Sequence, residues 1–490
     1  MGKSQLSALL FILLLISTAQ IAAHAQSFSV VYNFGTNSGD PYQPTYSGII
    51  AQGRDGNLYS TAPFGGTNNL GAIFKISPAG ALTVLYSFAG SDGQNPASGL
   101  TLGTDGNFYG TTFVGGTLGY GTVFKITPSD DLIVLYNFTN GEDGAYPLAP
   151  PVEGVDGNFY GTTCGGVVCY NGGSLGTIYK ITTSGKLTSL YQFDNTHGYD
   201  PVAPLVLGAD GSFYGTAEYG GTGGHGVVFK LTPAKIGKVK YKVLYNFDRR
   251  HGQSPAGPLV QATDGNFYGT TVAGGKTATG QGEIFKITSQ GGLTVLYSLD
   301  GSQSGGPFAG LVQATDGNFY GANRYGGKGS NCGDNGCGAT FQISPKRQFL
   351  ILHNFDLATG SAPYVTPFQH TNGTIYGDTQ EGGTGDVGCA AGTCGVFYSW
   401  SAGLPAFVSL LPYAGKVGKT VEFLGQGFTG TTAVTFNGTP ANFKVASDTY
   451  LTATVPAGAT TGFVTVTTPG GSLKSNKKFR VESSVHSLTF

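Results

Sequence analysis

Thr263-Asp264-Gly265-Asn266-Phe267-Tyr268-Gly269-Thr270-Thr271 is one of seven copies of a single phrase. The others start at Asp55, Asp105, Asp156, Asp210, Asp316 and, with Asn replacing Asp, Asn372, so successive copies lie 50 to 56 residues apart. A period near fifty with strand-like content predicts a propeller or a solenoid. Extended segments flank Asp264-Gly265, a dipeptide that predicts a type I′ hairpin turn, in which both central residues take positive φ. A loop carrying Gly274-Gly275 follows, then strands over 282–287 and 293–299. The unit reads as a four-stranded antiparallel meander, A to D.

Three features favour a propeller. Strand A is small (Gly257, Pro258, Ala262) and strand D bulky (Leu293, Val295, Leu296, Tyr297), as wedge-shaped blades around an axis require. Strand D is apolar on both faces, with Leu82, Val84, Tyr86 and Phe88 on one and Leu85 on the other, which a sheet solvated on one side would not be. Finally, a seventh D-like strand, 28–34, precedes every A strand, while the seventh unit stops after C at 395–400. Pairing those two segments closes the ring and removes two sheet edges. The expectation is an all-β chain: a seven-bladed β-propeller over 26–400, closed by its N-terminal strand, followed by a small immunoglobulin-like β-sandwich.

The unit GLVQATDGNFYGTT…GG…FKIT…LTVLYNF resembles the Gloeo/Verruco (GloVer) tandem repeat of secreted bacterial proteins across roughly 28–400. Departures sit at the ends, where Asn57-Leu58-Tyr59-Ser60 lacks Gly after Tyr and Thr374-Ile375-Tyr376-Gly377-Asp378 loses the first Thr. The resemblance implies architecture and location and carries no catalytic residue. After a linker at 401–405 the period disappears, and short alternating strands separated by Gly and Pro turns over 406–482 predict the sandwich. That segment resembles an IPT/TIG domain, read here as a spacer or contact module. Residues 483–490 form a tail without a recognised sorting signal.

Residues 1–25 read as a signal peptide: Lys3, an apolar run from Leu6 to Ile16, then Ala23-His24-Ala25. The mature chain is expected to be secreted, extracellular or on the bacterial cell surface, as a monomer without membrane insertion. Charged residues make up 11% of the chain and net charge is −1, which offers nucleic acid no electrostatic footing. The cysteines fall into three C-x4-C pairs, Cys164/Cys169, Cys332/Cys337 and Cys389/Cys394, each within a B–C loop. Local pairing in an exported chain predicts disulfides.

The A–B and C–D turns share one face of the array, and the longer, varied B–C and D–A loops share the other. Variation on a rigid scaffold marks where binding resides. The candidate ligand-binding residues are Phe64, Phe113, Glu218, Tyr219, Arg324, Tyr325, Gln380 and Glu381. Segments 140–144 and 331–335 are acidic but lack EF-hand spacing, and no metal or cofactor is expected. His197 and His251 occupy matching D–A loops, as shared ancestry would leave them. No nucleophile elbow, zinc-protease motif or dinucleotide fingerprint occurs, and six arginines argue against an arginine cluster for anionic substrates. The sequence points to a non-catalytic exported binding or scaffold protein that holds a glycan or protein partner. The alternative is a secreted carbohydrate-active enzyme, a glycoside hydrolase or lyase, with its site at the propeller mouth.

Overall fold

The computed structural model describes residues 27–45, 49–165, 175–234, 239–301, 304–329, 332–390 and 393–482. The expected signal peptide, Cys169, Asn331 and the tail 483–490 lie outside them. Among the described residues the chain is all-β, with no helix, and between 27 and 401 it forms seven four-stranded antiparallel sheets. The fifth is typical: Val260–Gln261, Phe267–Thr271, Glu283–Ile287 and Leu293–Ser298, in that order. The seventh takes its outer strand from the other end of the chain. Ser27–Asn33 pairs antiparallel with Val396–Ser401, Phe28 opposite Trp400 and Asn33 opposite Val396. That strand runs one residue into the segment expected to be a linker.

The repeated phrase explains itself in three dimensions. The carboxylate of Asp264 accepts from the backbone and side-chain amides of Asn266, from the Tyr268 hydroxyl at 2.9 Å and from Lys286 Nζ at 2.8 Å. The Tyr268 ring then stacks on Phe319 of the next sheet at 4.1 Å, and Phe267 receives Tyr214 of the preceding sheet at 3.9 Å. One Asn-Phe-Tyr triplet thus anchors its own turn and joins three successive sheets. Leu58 and Ile375 replace that Phe in the first and seventh copies. Leu58 packs in one cluster with Tyr376, so the seventh sheet packs against the first.

Two expectations need correction. The turn is not type I′. Gly265 has φ +81° while Asp264 stays at negative φ, Gly265 N–H donates to Ala262 O and Ala262 N–H donates to Asn266 O. This is a type I turn followed by a left-handed Gly, the G1-bulge loop, which uses the same dipeptide one step later in the turn. Strand D is apolar on both faces as expected, but Tyr86 and Phe88 do not share the face of Leu82: Leu82 packs toward the seventh sheet, and Tyr86 and Phe88 join Leu85 against the second. In the first sheet Phe74 pairs with Val84 and Ile73 with Tyr86, leaving Leu85 in a β-bulge that turns it toward the next sheet, where it packs with Phe108 and Phe124.

A further stitch links the sheets. The residue before the D–A loop proline has φ between +53° and +57° in all seven repeats: Gln43, Asn95, Tyr146, Asp200, Ser254, Gly306 and Ala362. Its N–H donates to the carbonyl just ahead of strand C in the preceding sheet, as Asn95 does to Leu70 and Ser254 to His225. Gln43 N–H donates to Cys394 O at 2.8 Å, so the last repeat is stitched to the first. The proline itself lies on the Gly that opens strand C. A Cβ on Gly226 would meet Pro255 Cδ at 2.5 Å, which is why that position is Gly.

The C-terminal unit packs two four-stranded sheets around Val421, Phe423, Phe428, Val434, Phe436 and Leu451. It is seated on the A–B turn side of the array. Arg54 makes a two-pronged bond to Glu422 (3.0 and 2.5 Å), lies 4.9 Å from the Tyr450 ring and donates onward to Thr104 O in the second sheet. Gln426 Nε2 donates to Thr371 Oγ1 of the seventh sheet, and Thr449 Oγ1 to Arg54 O.

Candidate functional site

Each B–C loop bridges to the D–A loop of its own repeat, so the two varied segments form one rim: Tyr42 with Phe64, Tyr199 with Tyr219, Gly305 with Tyr325, Ser361 with Glu381. The rim therefore pairs side chains that the sequence keeps about twenty residues apart. Phe64, 37% exposed, lies parallel to Tyr42 at 5.6 Å, and Tyr219 parallel to Tyr199 at 5.5 Å. Tyr42 and Tyr199 went unrecognised in the sequence, because only the ladder between the two loops reveals them as partners.

Inside this rim the sequence-predicted residues part company. Phe113 is half-buried. It leans on Tyr146 at 5.3 Å and joins an apolar cluster of Ala97, Leu148, Val202 and Ala256 contributed by successive repeats. Each of those four follows the D–A loop proline, a repeat position that could have been found by aligning the copies.

Glu218 is buried (8% exposed), its N–H donating to Asp200 O at 3.1 Å. Burial pushes its carboxyl up to about 7. The Tyr219 hydroxyl, bonded to it, works against that rise, and the charge of Asp200 adds to it. Asp200 is itself wholly buried, and its Oδ1 accepts from Gly165 N–H.

Arg324 occupies the same loop slot two repeats on. Its guanidinium carbon lies 4.6 Å from the Tyr364 ring, 4.7 Å from Tyr325 and 5.4 Å from Phe308. Nε is buried with no hydrogen-bond partner among the described residues. Gln380 and Glu381 repeat the backbone pattern in the seventh sheet, donating to Ala362 O and Ser361 O. The structure thus brings Arg324 and Tyr325 together, and Glu218 and Tyr219 together, with Phe64 on a separate part of the rim.

Cysteine bridges Cys332–Cys337 and Cys389–Cys394 close two B–C loops, with Cα separations of 5.3 and 5.6 Å. Of the two acids in the 140–144 segment, Glu142 is exposed and Asp143 accepts from Thr139 N–H, Thr139 Oγ1, Gly141 N–H and the Tyr136 hydroxyl, so Asp143 serves as a loop cap. His197 and His251 pair with Asp194 and Asp248, at 2.8 and 2.9 Å. No cluster of three metal-ligating side chains occurs among the described residues, and no helix there is long and apolar enough to cross a membrane.

Fold and loop architecture define a tandem β-sheet repeat protein with an appended sandwich. The chain belongs to the Gloeobacter/Verrucomicrobia repeat family, whose model matches residues 18–175 and 166–334, and residues 405–481 match the IPT/TIG domain. No curated protein matches the chain. Among solved structures it is similar to a periplasmic gluconolactonase from Pseudomonas aeruginosa (16% identity, 70% of this chain and 98% of that one, TM-score 0.42). A gluconolactonase from Xanthomonas campestris (11%, 62% and 88%, 0.38) and a PQQ-bound aldose sugar dehydrogenase from Streptomyces coelicolor (12%, 77% and 98%, 0.41) are also similar. Likenesses this distant carry no activity over to this chain.

Proposed function

We propose that the seven sheets are the blades of a closed β-propeller, exported from the cell, that uses its B–C/D–A loop face to hold a glycan or protein partner without catalysis. The observation that carries this reading is the contrast within the rim. Backbone stitches and ladders repeat in every copy, while the side chains on them change from aromatic to acidic to basic. The reading of a ring draws on the stitch from Cys394 to Gln43 and the packing of Tyr376 with Leu58. The disulfides in two loops suit an oxidising compartment. Phe64, exposed above the buried Tyr42, and the half-buried pair Tyr199/Tyr219 offer flat apolar surfaces to sugar rings. The test is retention on a panel of insoluble polysaccharides and on cell-surface protein, with the parent and a Tyr219→Ala/Tyr325→Ala variant. Retention of the parent with at least about tenfold weaker retention of the variant supports it. Equal retention of both removes these tyrosines from the site.

The second reading, a carbohydrate-active enzyme, rests on Glu218, a buried carboxyl held near neutrality beside Asp200. A general acid needs such a pKa. Reducing-sugar release that vanishes in Glu218→Gln would support it, and no release from any polysaccharide tested would dismiss it.

A further inference from the structure

We propose that the loop face at the fifth and sixth repeats binds an acidic polysaccharide, recognising the carboxylates of uronic-acid units. This deepens the glycan reading above and rests on it. The chain has six arginines. Arg54 pairs with Glu422 and Arg480 with Glu482, both away from this face. Arg249 and Arg250 lie together with Lys276 in one broad cleft of about 970 Å³, between the D–A and B–C loops of the fifth repeat. All three are exposed, and none forms an ion pair among the described residues. The cleft's one acid, Asp248, is engaged by His251 at 2.9 Å. Behind the cleft, the buried Glu283 carboxylate accepts from Lys276 N–H at 3.1 Å and from the Ser298 hydroxyl, so three exposed cations stand beside two carboxylates that are already engaged, and the cleft is positive on a chain of net charge −1.

The second observation comes from the sixth repeat. Arg324 is held among Phe308, Tyr325 and Tyr364, has no ion-pair partner among the described residues, and keeps Nε unpaired. Aromatic walls strip water from a guanidinium and fix its plane, but they answer none of its N–H donors. A planar carboxylate does, through two parallel charge-assisted bonds. Phe308 and Tyr364 stand where Ala97, Leu148, Val202 and Ala256 stand in other repeats, so in the slot after the proline the larger aromatic side chains fall at the sixth and seventh repeats, next to Arg324. Cations for the carboxylates and rings for the sugar faces occur on neighbouring repeats of one face. An acidic polysaccharide presents both groups together, residue after residue.

The experiment measures binding of the full chain to polygalacturonate and to its fully methyl-esterified form, which keeps the backbone and removes the charge, at low and high salt. The expected result is at least about tenfold tighter binding of the acid form, weakened by salt. Arg324→Ala should lose about tenfold, Arg324→Lys should recover part of it, and Arg249→Ala/Arg250→Ala should flatten the salt dependence. Melting curves establish that each variant is folded. The exposed Arg249 and Arg250 provide the arm in which no buried side chain is removed, the one bond lost being that from Arg249 Nε to Gln253 Oε1. Equal affinity for the two polymers would overturn the carboxylate assignment and leave the glycan reading standing. Binding to no polysaccharide, or to an acidic protein alone, would overturn both.

Discussion

Asp378 is wholly buried, and among the described residues neither of its carboxylate oxygens nor the neighbouring Tyr398 hydroxyl has a hydrogen-bond partner. Burial raises its pKa well above the ordinary carboxylate value. Five of the other six repeats place Thr in this slot and the sixth places Ala322; Thr111, for instance, reaches the Ala149 carbonyl of the next repeat at 3.2 Å. A raised acid pKa favours the folded state fully below about pH 4, and that benefit is lost as pH climbs through the folded value. Asp378→Thr should therefore be more stable than the parent at pH 7, by about 1–3 kcal/mol, with the two melting curves converging below about pH 4. Asp264 has the opposite sign. Burial raises its pKa, but bonds from Lys286, Asn266 and Tyr268 outweigh that and hold it at about 2. Its contribution is present above about pH 4 and lost as pH falls toward 2. Because the group is 40% exposed, Asp264→Asn should cost only about 1 kcal/mol at pH 7 after screening. Calorimetry across pH 2–7 should show that difference closing in acid.

At the scale of strands, the Asn-Phe-Tyr triplet stacks one sheet on the next through its rings. Phe267→Ala removes a wholly buried ring and its stacking with Tyr214, and should cost about 3–5 kcal/mol in denaturant unfolding. Deleting 27–33 should leave Val396–Ser401 as an open edge, and light scattering should then report association. A truncated chain that stays monomeric and melts like the parent would refute the importance of that pairing. The period, the meander and this end-to-end pairing were legible because the Asp-Gly phrase and the Leu-Tyr-Phe strand recur in register. The left-handed residue before each proline was not. Gln43, Tyr146, Asp200 and Ala362 share no side-chain chemistry, since the conformation is imposed by backbone bonds to the neighbouring sheet. The turn was misread because Asp-Gly serves a type I′ turn and a G1 bulge equally well. The candidate rim was half visible: Tyr219 and Arg324 stand out ahead of Gly-Gly, whereas Tyr199 and Phe308, which face them, lie in another loop.

For the whole molecule, the seat of the sandwich matters most. Arg54, Thr104 and Thr371 read as ordinary turn residues, so nothing in the sequence announced that the second domain is docked. Its contacts span the seventh, first and second sheets. Gln52 Nε2 also donates to Thr371 Oγ1 there, and His370 Nε2 lies 2.9 Å from Gly56 O. Arg54→Ala leaves Glu422, which is mostly buried, without its cation, and should loosen the docking by about 1–2 kcal/mol. A double-mutant cycle with Glu422→Gln, read by calorimetry, should return a coupling of that order. If the sandwich already melts independently in the parent, the docking contributes nothing to stability.

The pairing of the first described strand with the last strand of the repeats also has a consequence in time. Six of the seven sheets need only neighbours within one repeat and can form while the chain is still being synthesised. The seventh uses a strand made at the start and a partner made hundreds of residues later. Contacts so distant along a chain form slowly. For that interval the nascent molecule carries two unsatisfied edges, each shaped to accept the other and equally able to accept its counterpart from a second copy. Refolding should therefore show fast recovery of most β signal and one late phase that vanishes when 27–33 is removed. At high protein concentration the same late step should yield strand-exchanged dimers, separable by size and slow to revert.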